Sequence, residues 1–184
     1  MPKDISDEPA STSLTRLQGR PRLRKPGADD GSDIWVLVRA CAPLDENSMY
    51  CNLLQCDHFR DTCVLAEIDG RTLGWVSGYI PPSDTGTIFV WQVAVHADAR
   101  GHGLGKRMLA ALLDRPECRG VVRMRTTITR DNAASWALFR GFAGSRGARL
   151  SDAPHFERDD HFDGRHATEH MVTIDLEEAA RQAA

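Results

Sequence analysis

No apolar run in this chain approaches the ~18 residues that a membrane-spanning helix needs, so nothing in it points to a bilayer. The opening segment MPKDISDEPASTS lacks the hydrophobic centre of a secretion signal, and a cytoplasmic location is the expectation. The cysteines number five, an odd count, and form no CxxC, which leaves no basis for a disulfide framework or a zinc ribbon. An excess of one charge is missing too. Lys and Arg number 23 against 26 Asp and Glu, a net charge of -3 that gives no global pull toward nucleic acid or anionic lipid. What remains is 184 residues, 41% hydrophobic, enough for one domain with a substantial core and short for two.

The first twenty residues mix Ser, Thr, Pro, Asp, Glu and Lys without periodicity, and the stretch from Glu177 to Ala184 reads as a polar tail. Such segments bury too little surface to order themselves, so 1–20 and 177–184 read as tails around a domain spanning 21–176. A short strand is expected at Leu23. Capping residues Asp29 to Asp33 then precede a helix through Ile34, Leu37 and Val38. Asn47 or Ser48 can cap a second helix, Met49 to Cys56, with Asp45 at its entrance. Strands Cys63 to Glu67 and Thr72 to Tyr79 flank Asp69-Gly70, a dipeptide suited to a tight hairpin turn.

From Thr87 to His96 the residues alternate, with Phe89, Trp91, Val93 and Val95 expected on one face. A glycine-rich turn at Arg100 to Lys106 leads into a helix that Pro116 forbids from continuing. Val121 to Thr129 reads as a strand, and Asp131 or Asn132 can cap a helix from Ala133 that stops at Gly141. Ser151 to His170, rich in His, Asp, Glu and Arg, reads as a polar loop or lid, and Val172 to Leu176 as a last strand. The order β-α-α-β-β-β-α-β-α-β predicts an α/β (α+β) fold, a mixed, mostly antiparallel sheet flanked by helices.

A strand that runs through closely spaced glycines into a helix gathers free backbone N–H groups at the positive helix end, a setting for a phosphate or pyrophosphate. The common nucleotide signatures fail on spacing: only three residues separate Gly101 from Gly105, and Arg107 stands where a phosphate-binding loop needs Ser or Thr. The pattern that fits is R-x-x-G-x-G, carried by Arg100, Gly103 and Gly105 after Val93-Ala94-Val95. It resembles the Gcn5-related N-acetyltransferases. That resemblance implies acetyl-CoA as cosubstrate, with its pantetheine arm along Val93 and Val95. The pyrophosphate would lie against Arg100, Gly101, His102, Gly103, Leu104, Gly105 and Lys106, and Asn132 and Phe139 would sit on the coenzyme side.

Within that superfamily, Leu44-Asp45-Glu46-Asn47-Ser48-Met49-Tyr50, Phe89-Val90-Trp91-Gln92 and His166-Ala167-Thr168-Glu169 resemble the diaminobutyrate acetyltransferases of ectoine synthesis. The resemblance runs from about Arg22 to Leu176. It implies acetyl transfer to the γ-amine of L-2,4-diaminobutyrate, in a homodimer without nucleic acid or membrane partners. It also implies a substrate pocket containing Asp45, Tyr50, Trp91, His166 and Glu169. An alkylamine has a pKa near ~10, so it must lose a proton before it can attack a thioester. Asp45 and Glu169 are the candidates to hold the amino groups, with Glu169 the better base, directly or through a water or His166. Trp91 would wall the aliphatic carbons, and the Val93 amide could donate to the developing oxyanion.

The tyrosine that many of these enzymes use to protonate the thiolate is replaced by Phe139. Either Tyr50, Ser135 or water takes its place, or coenzyme A leaves as the thiolate. Arg123 and Arg125, and less so Lys106, are the cations available for the substrate carboxylate. The histidines and aspartates from His155 to His170 fit no standard zinc spacing, and no metal is expected. Two other readings share the coenzyme motif: an acetyltransferase for another small amine or a protein N-terminus, and a coenzyme-binding module without turnover.

Overall fold

The computed structural model describes residues 19–42 and 44–177, so the expected tails lie almost wholly outside the described residues. Strands β1 (Arg22–Arg24), β2 (Val64–Ile68), β3 (Arg71–Tyr79), β4 (Thr87–Val95), β5 (Arg123–Thr129), β6 (Arg149–Phe156) and β7 (Glu169–Asp175) form one sheet in the order β1-β2-β3-β4-β5-β7-β6. Every neighbouring pair is antiparallel except β4 and β5. The mixed, mostly antiparallel sheet expected from the sequence is the one observed. No helix among the described residues is long and apolar enough to cross a membrane.

One sheet face carries α3 (Leu104–Leu113) and α4 (Ala133–Ser145), with Met108, Leu109, Leu112, Phe139 and Phe142 buried among Val76, Ile88, Val90 and Val172. Removing each such side chain from water contributes ~1.5–3 kcal/mol, which makes this face the larger share of the core. The other face carries α1 (Gly31–Arg39), which buries Ile34, Leu37 and Val38 on Trp75 and Ala94, and its neighbour α2 (Met49–Asp57). Local chemistry sets the elements as the sequence suggests. Asp69 and Gly70 take φ of 49° and 76° and close the β2–β3 hairpin. The Ser48 hydroxyl accepts from the Cys51 N–H at 3.1 Å and caps α2. The Asn132 side-chain oxygen Oδ1 accepts from the Ser135 N–H at 3.0 Å and caps α4.

Three expectations need correction. First, the alternation in β4 is broken: Ser77 pairs with Gln92 and Gly78 with Val90, which leaves Trp91 as an extra, bulged residue. Val93 and Val95 therefore share the α3/α4 face with Ile88 and Val90, not with Phe89 and Trp91. Second, the segment expected as a loop from Ser151 to His170 begins in strand β6 and contains a short helix, α5 (Arg158–Phe162). Third, α4 does not stop at Gly141 but runs on to Ser145, because burying Phe142 and Ala143 outweighs the helix cost of glycine.

One irregularity positions the site. The parallel strands β4 and β5 pair only over Thr87–Phe89 and Arg123–Arg125 and then part. The sheet is split beyond that point, leaving a wedge between Val90–Val95 and Thr126–Thr129.

Candidate active site

The wedge holds two joined clefts. On the α3/α4 side lies a groove of about 570 Å3, lined by Cys41, Val93, Val95, Arg100, Gly101, Gly103, Leu104, Gly105, Lys106, Asn132, Ser135, Leu138 and Gly141 among others. Gly103, with φ of 71°, starts α3, and no side chain caps that end. The first-turn amides of α3 thus meet the groove with no side chain satisfying them, the arrangement that suits an anion. A Cβ on Gly105 would come within 3.0 Å of Leu138, so glycine there permits the close approach of α3 and α4. The loop is tied to the strand through Arg100, whose Nε donates to the Val95 carbonyl at 3.0 Å.

Backbone polarity at the wedge follows from pairing. The His96 N–H donates to the Leu73 carbonyl, which fixes the alternate residues Ala94 and Gln92 toward β3. The amides of Val93 and Val95 consequently face the opening left by β5.

The second cleft, about 220 Å3, is lined by Leu44, Asp45, Asn47, Val90, Trp91, Gln92, Val93, Thr126 to Thr129, Asn132, Ser135, Phe139, His166 and Glu169. It meets the groove at Leu44, Val93, Asn132 and Ser135, which line both. Glu169 opens β7 opposite Thr129 and is half-buried, and its Oε2 is buried with no hydrogen-bond partner among the described residues. Burial pushes its carboxyl above the usual range; the nearby Asp45 carboxylate adds to this, while His166 and the Thr127 hydroxyl oppose it. His166 Nε2 stands 3.9 Å from Glu169 Oε1, and its Nδ1 lies 2.7 Å from the Ala167 carbonyl. A ring donating there from Nδ1 leaves Nε2 without a proton on the side of the carboxylate, at a separation too long for a direct hydrogen bond. Two carboxylates thus stand where a groove suited to an anion ends.

The model of the acetyltransferase (GNAT) family matches residues 32–143. An L-2,4-diaminobutyric acid acetyltransferase from Methylotuvimicrobium alcaliphilum is 47% identical over 152 residues, covering 83% of this chain and 88% of that protein. One of the same name from Bordetella parapertussis is 47% identical over 175 residues, covering 91% and 94%. The chain belongs to the GNAT family, among the L-2,4-diaminobutyric acid acetyltransferases. A solved structure of such an enzyme from Paenibacillus lautus, in complex with its substrate L-2,4-diaminobutyric acid and coenzyme A, is 36% identical. It superposes with a TM-score of 0.81 over 85% of this chain and 95% of that one.

Most residues singled out in the sequence of this acetyltransferase converge on the two clefts, but not all. Asp45, Trp91, His166 and Glu169 line the smaller cleft, and Phe139, expected on the coenzyme side, lines it as well. Val93, Val95, Arg100, Gly101, Gly103, Leu104, Gly105, Lys106 and Asn132 line the groove. Tyr50 lines neither and is 69% exposed on α2; His102 is exposed on the glycine turn and lines neither. Arg107 turns from the groove and donates to the Pro21 carbonyl at 3.1 Å. Arg123 is engaged by Asp84 at 3.2 Å and by Thr87, and Arg125 also faces Asp84 at 3.6 Å. Thr126 to Thr129, Asn47 and Cys41 line the clefts without having been singled out. The threonines carried a signal, polar residues interleaved with Met124 and Ile128 along one strand. Among the described residues no group of three His, Cys, Asp or Glu could hold a metal ion.

Proposed function

We propose that this protein transfers the acetyl group of acetyl-CoA to the γ-amine of L-2,4-diaminobutyrate, giving N4-acetyl-L-2,4-diaminobutyrate for ectoine synthesis. The observation that carries the reading is Glu169: a half-buried carboxyl of raised pKa, facing Asp45 across a cleft that joins an anion-binding groove at Val93. The groove fits the coenzyme by its chemistry. Uncapped α3 amides and the cations Arg100 and Lys106 suit a pyrophosphate, and the strand edge at Val93 and Val95 suits an amide-bearing arm.

Acetyl-CoA supplies the acetyl group as a thioester. Asp45 holds the incoming diamine through charge-assisted hydrogen bonds, and Trp91 covers its methylenes. Glu169 takes the proton from the γ-ammonium, since a raised pKa lies closer to that of the amine than an ordinary carboxylate does. The freed nitrogen forms the amide bond as the carbon–sulfur bond breaks, with the Val93 N–H polarising the carbonyl oxygen, and the second proton of the attacking nitrogen passes to the departing sulfur. Ser135 lines both clefts and Tyr50 neither, which favours Ser135 or water as the donor to the departing thiolate.

We assign residues 21–176 to one N-acetyltransferase domain and its working form to a cytoplasmic homodimer. The free cysteines support the compartment. A partly exposed aromatic cluster supports the dimer: the Tyr79 ring centroid lies 6.3 Å from that of Phe59, 5.3 Å from that of Phe89 and 6.5 Å from that of Trp91, and Phe59 and Trp91 are 42% and 48% exposed. Sedimentation at micromolar concentration should give twice the chain mass.

The test of the activity is coenzyme thiol release with a panel of diaminobutyrate, ornithine, lysine and 1,3-diaminopropane, followed by NMR of the product. Fastest turnover of diaminobutyrate with acetylation at the γ nitrogen is expected. Equal or faster turnover of ornithine or lysine would assign the protein to another amine, and coenzyme binding without thiol release to a non-catalytic module.

A further inference from the structure

On the crossing between α1 and α2, Leu44, Asp45 and Asn47 line the smaller cleft. Within the crossing the Leu44 N–H bonds to the Cys41 carbonyl, and the Glu46 side chain pairs with exposed Arg39 at 3.2 Å. Neither contact reaches the sheet. Cys41 does reach it, its Sγ donating to the Val95 carbonyl at 3.3 Å, and at the Asp45 end of the crossing the side chain that makes the link is Gln92. It is 6% exposed, the residue after the Trp91 bulge in β4. Its Nε2 donates to the Asp45 carbonyl at 2.8 Å, and its Oε1 accepts from Asn47 Nδ2 at 3.3 Å. Asn47 can serve because Ser48, not Asn47, caps α2.

This clasp joins three features of the site. Gln92 immediately precedes Val93, whose amide faces the wedge, and directly follows Trp91, which lines the acceptor cleft. A primary amide can donate to one backbone position and accept from a second side chain at once; an acid or an aliphatic residue of similar size cannot do both. The bulge matters as well. It reverses which face Gln92 presents relative to Phe89 and Val90, so that the amide points at the crossing and not at the α3/α4 core.

We infer that Gln92 is a positioning residue for the acceptor amine: through the Asp45–Asn47 clasp it sets the distance of the Asp45 carboxylate from the reacting carbon beside Val93. This rests on the reading of Asp45 as an amine-binding group. Gln92 itself touches the loop backbone and the Asn47 amide, and its effect passes through Asp45.

The experiment is a double-mutant cycle on the full chain with Gln92→Met and Asp45→Asn, measured as steady-state kinetics with acetyl-CoA and diaminobutyrate. Gln92→Met should raise the KM for the diamine about ten-fold, the size of one or two lost hydrogen bonds, and leave the KM for acetyl-CoA within two-fold. Combined with Asp45→Asn it should add less than two-fold to the loss in kcat/KM, because the loop then positions nothing. Multiplying losses, or a parallel rise in the acetyl-CoA KM, would overturn the proposal and leave Gln92 a packing residue. Full activity of Asp45→Asn would overturn it too. The part-buried Asn47→Ala variant supplies a second route should Gln92→Met not fold: a smaller rise in the diamine KM, about three-fold, that also vanishes in the Asp45→Asn background. No change in that KM would count against the clasp. If the wild-type protein turns over a different amine of the panel, the function proposed above fails, and the same cycle on that amine still decides the role of Gln92.

Discussion

The two clefts share Val93 and Asn132 but are made of different material. The groove offers backbone amides beside Arg100 and Lys106: the positive φ of Gly103, the uncapped first turn of α3 and the open edge of β4 present them, and they come from one stretch of chain, Val93 to Lys106, closed over by α4. The smaller cleft is mostly side chain, brought together from the α1–α2 crossing, the β4 bulge, the end of β5 and the start of β7. The division of labour suits the ligands. A pyrophosphate needs fixed donors, which backbone supplies at little ordering cost. An amine that must give up a proton needs a carboxyl whose affinity for that proton is adjustable, and only side chains in a chosen environment offer that.

The contrast can be broken by substitutions that act on one cleft and spare the other. The largest effect should come from Glu169→Gln, which removes the proposed base: kcat/KM for the diamine should fall by about 10²–10⁴, with the KM for acetyl-CoA unchanged in steady-state assays. Next is Gly103→Ala. A side chain at φ of 71° costs about 1–2 kcal/mol, so a distorted turn should raise the KM for acetyl-CoA roughly ten-fold and leave the selectivity among diamines intact. A comparable shift in diamine selectivity would mean that the two clefts are not separable.

Charge sharpens the comparison further. Since Asp45 pushes the Glu169 pKa up and His166 pulls it down, the acid limb of the kcat/KM profile should move to lower pH in Asp45→Asn and to higher pH in His166→Gln. Identical limbs in both variants would show that another group titrates there. The smallest expected effect is on stability. Burial raises the Glu169 pKa in the folded state, so the native protein binds this proton more tightly than the unfolded chain does. Ionising it therefore costs stability as pH rises from the unfolded value through the folded one. Glu169→Gln should raise the Tm by about 2–4 °C at pH above that window and by nothing below it, read by calorimetry at two pH values.

The same contrast explains what the sequence could disclose. The groove was legible because its parts are neighbours in the chain: a strand, an arginine, spaced glycines and a helix appear in order. The capping choices and the Asp69-Gly70 hairpin were legible for the same reason, each being settled within a few residues. The smaller cleft depends on where strands pair and part. Nothing local says that β4 leaves β5 after Phe89, and the Trp91 bulge has no sequence mark, so the faces of Val93 and Trp91 were read as one. Strand β6 was missed because it is an edge strand exposed along nearly all its length, with Pro154 inside it. Its order comes from pairing with β7 and not from an alternating core face. Tyr50 was drawn into the pocket by family likeness, whereas in the single chain it points to solvent on α2.

The central claim is that backbone holds the coenzyme while Asp45 and Glu169 handle the amine. Calorimetric titration of coenzyme A into the Asp45→Asn, Glu169→Gln double variant, alongside its turnover of diaminobutyrate, tests it most directly. The account predicts a coenzyme Kd within two-fold of the wild type and turnover reduced at least a hundred-fold. Coenzyme affinity lost in step with turnover, or turnover retained, would contradict it.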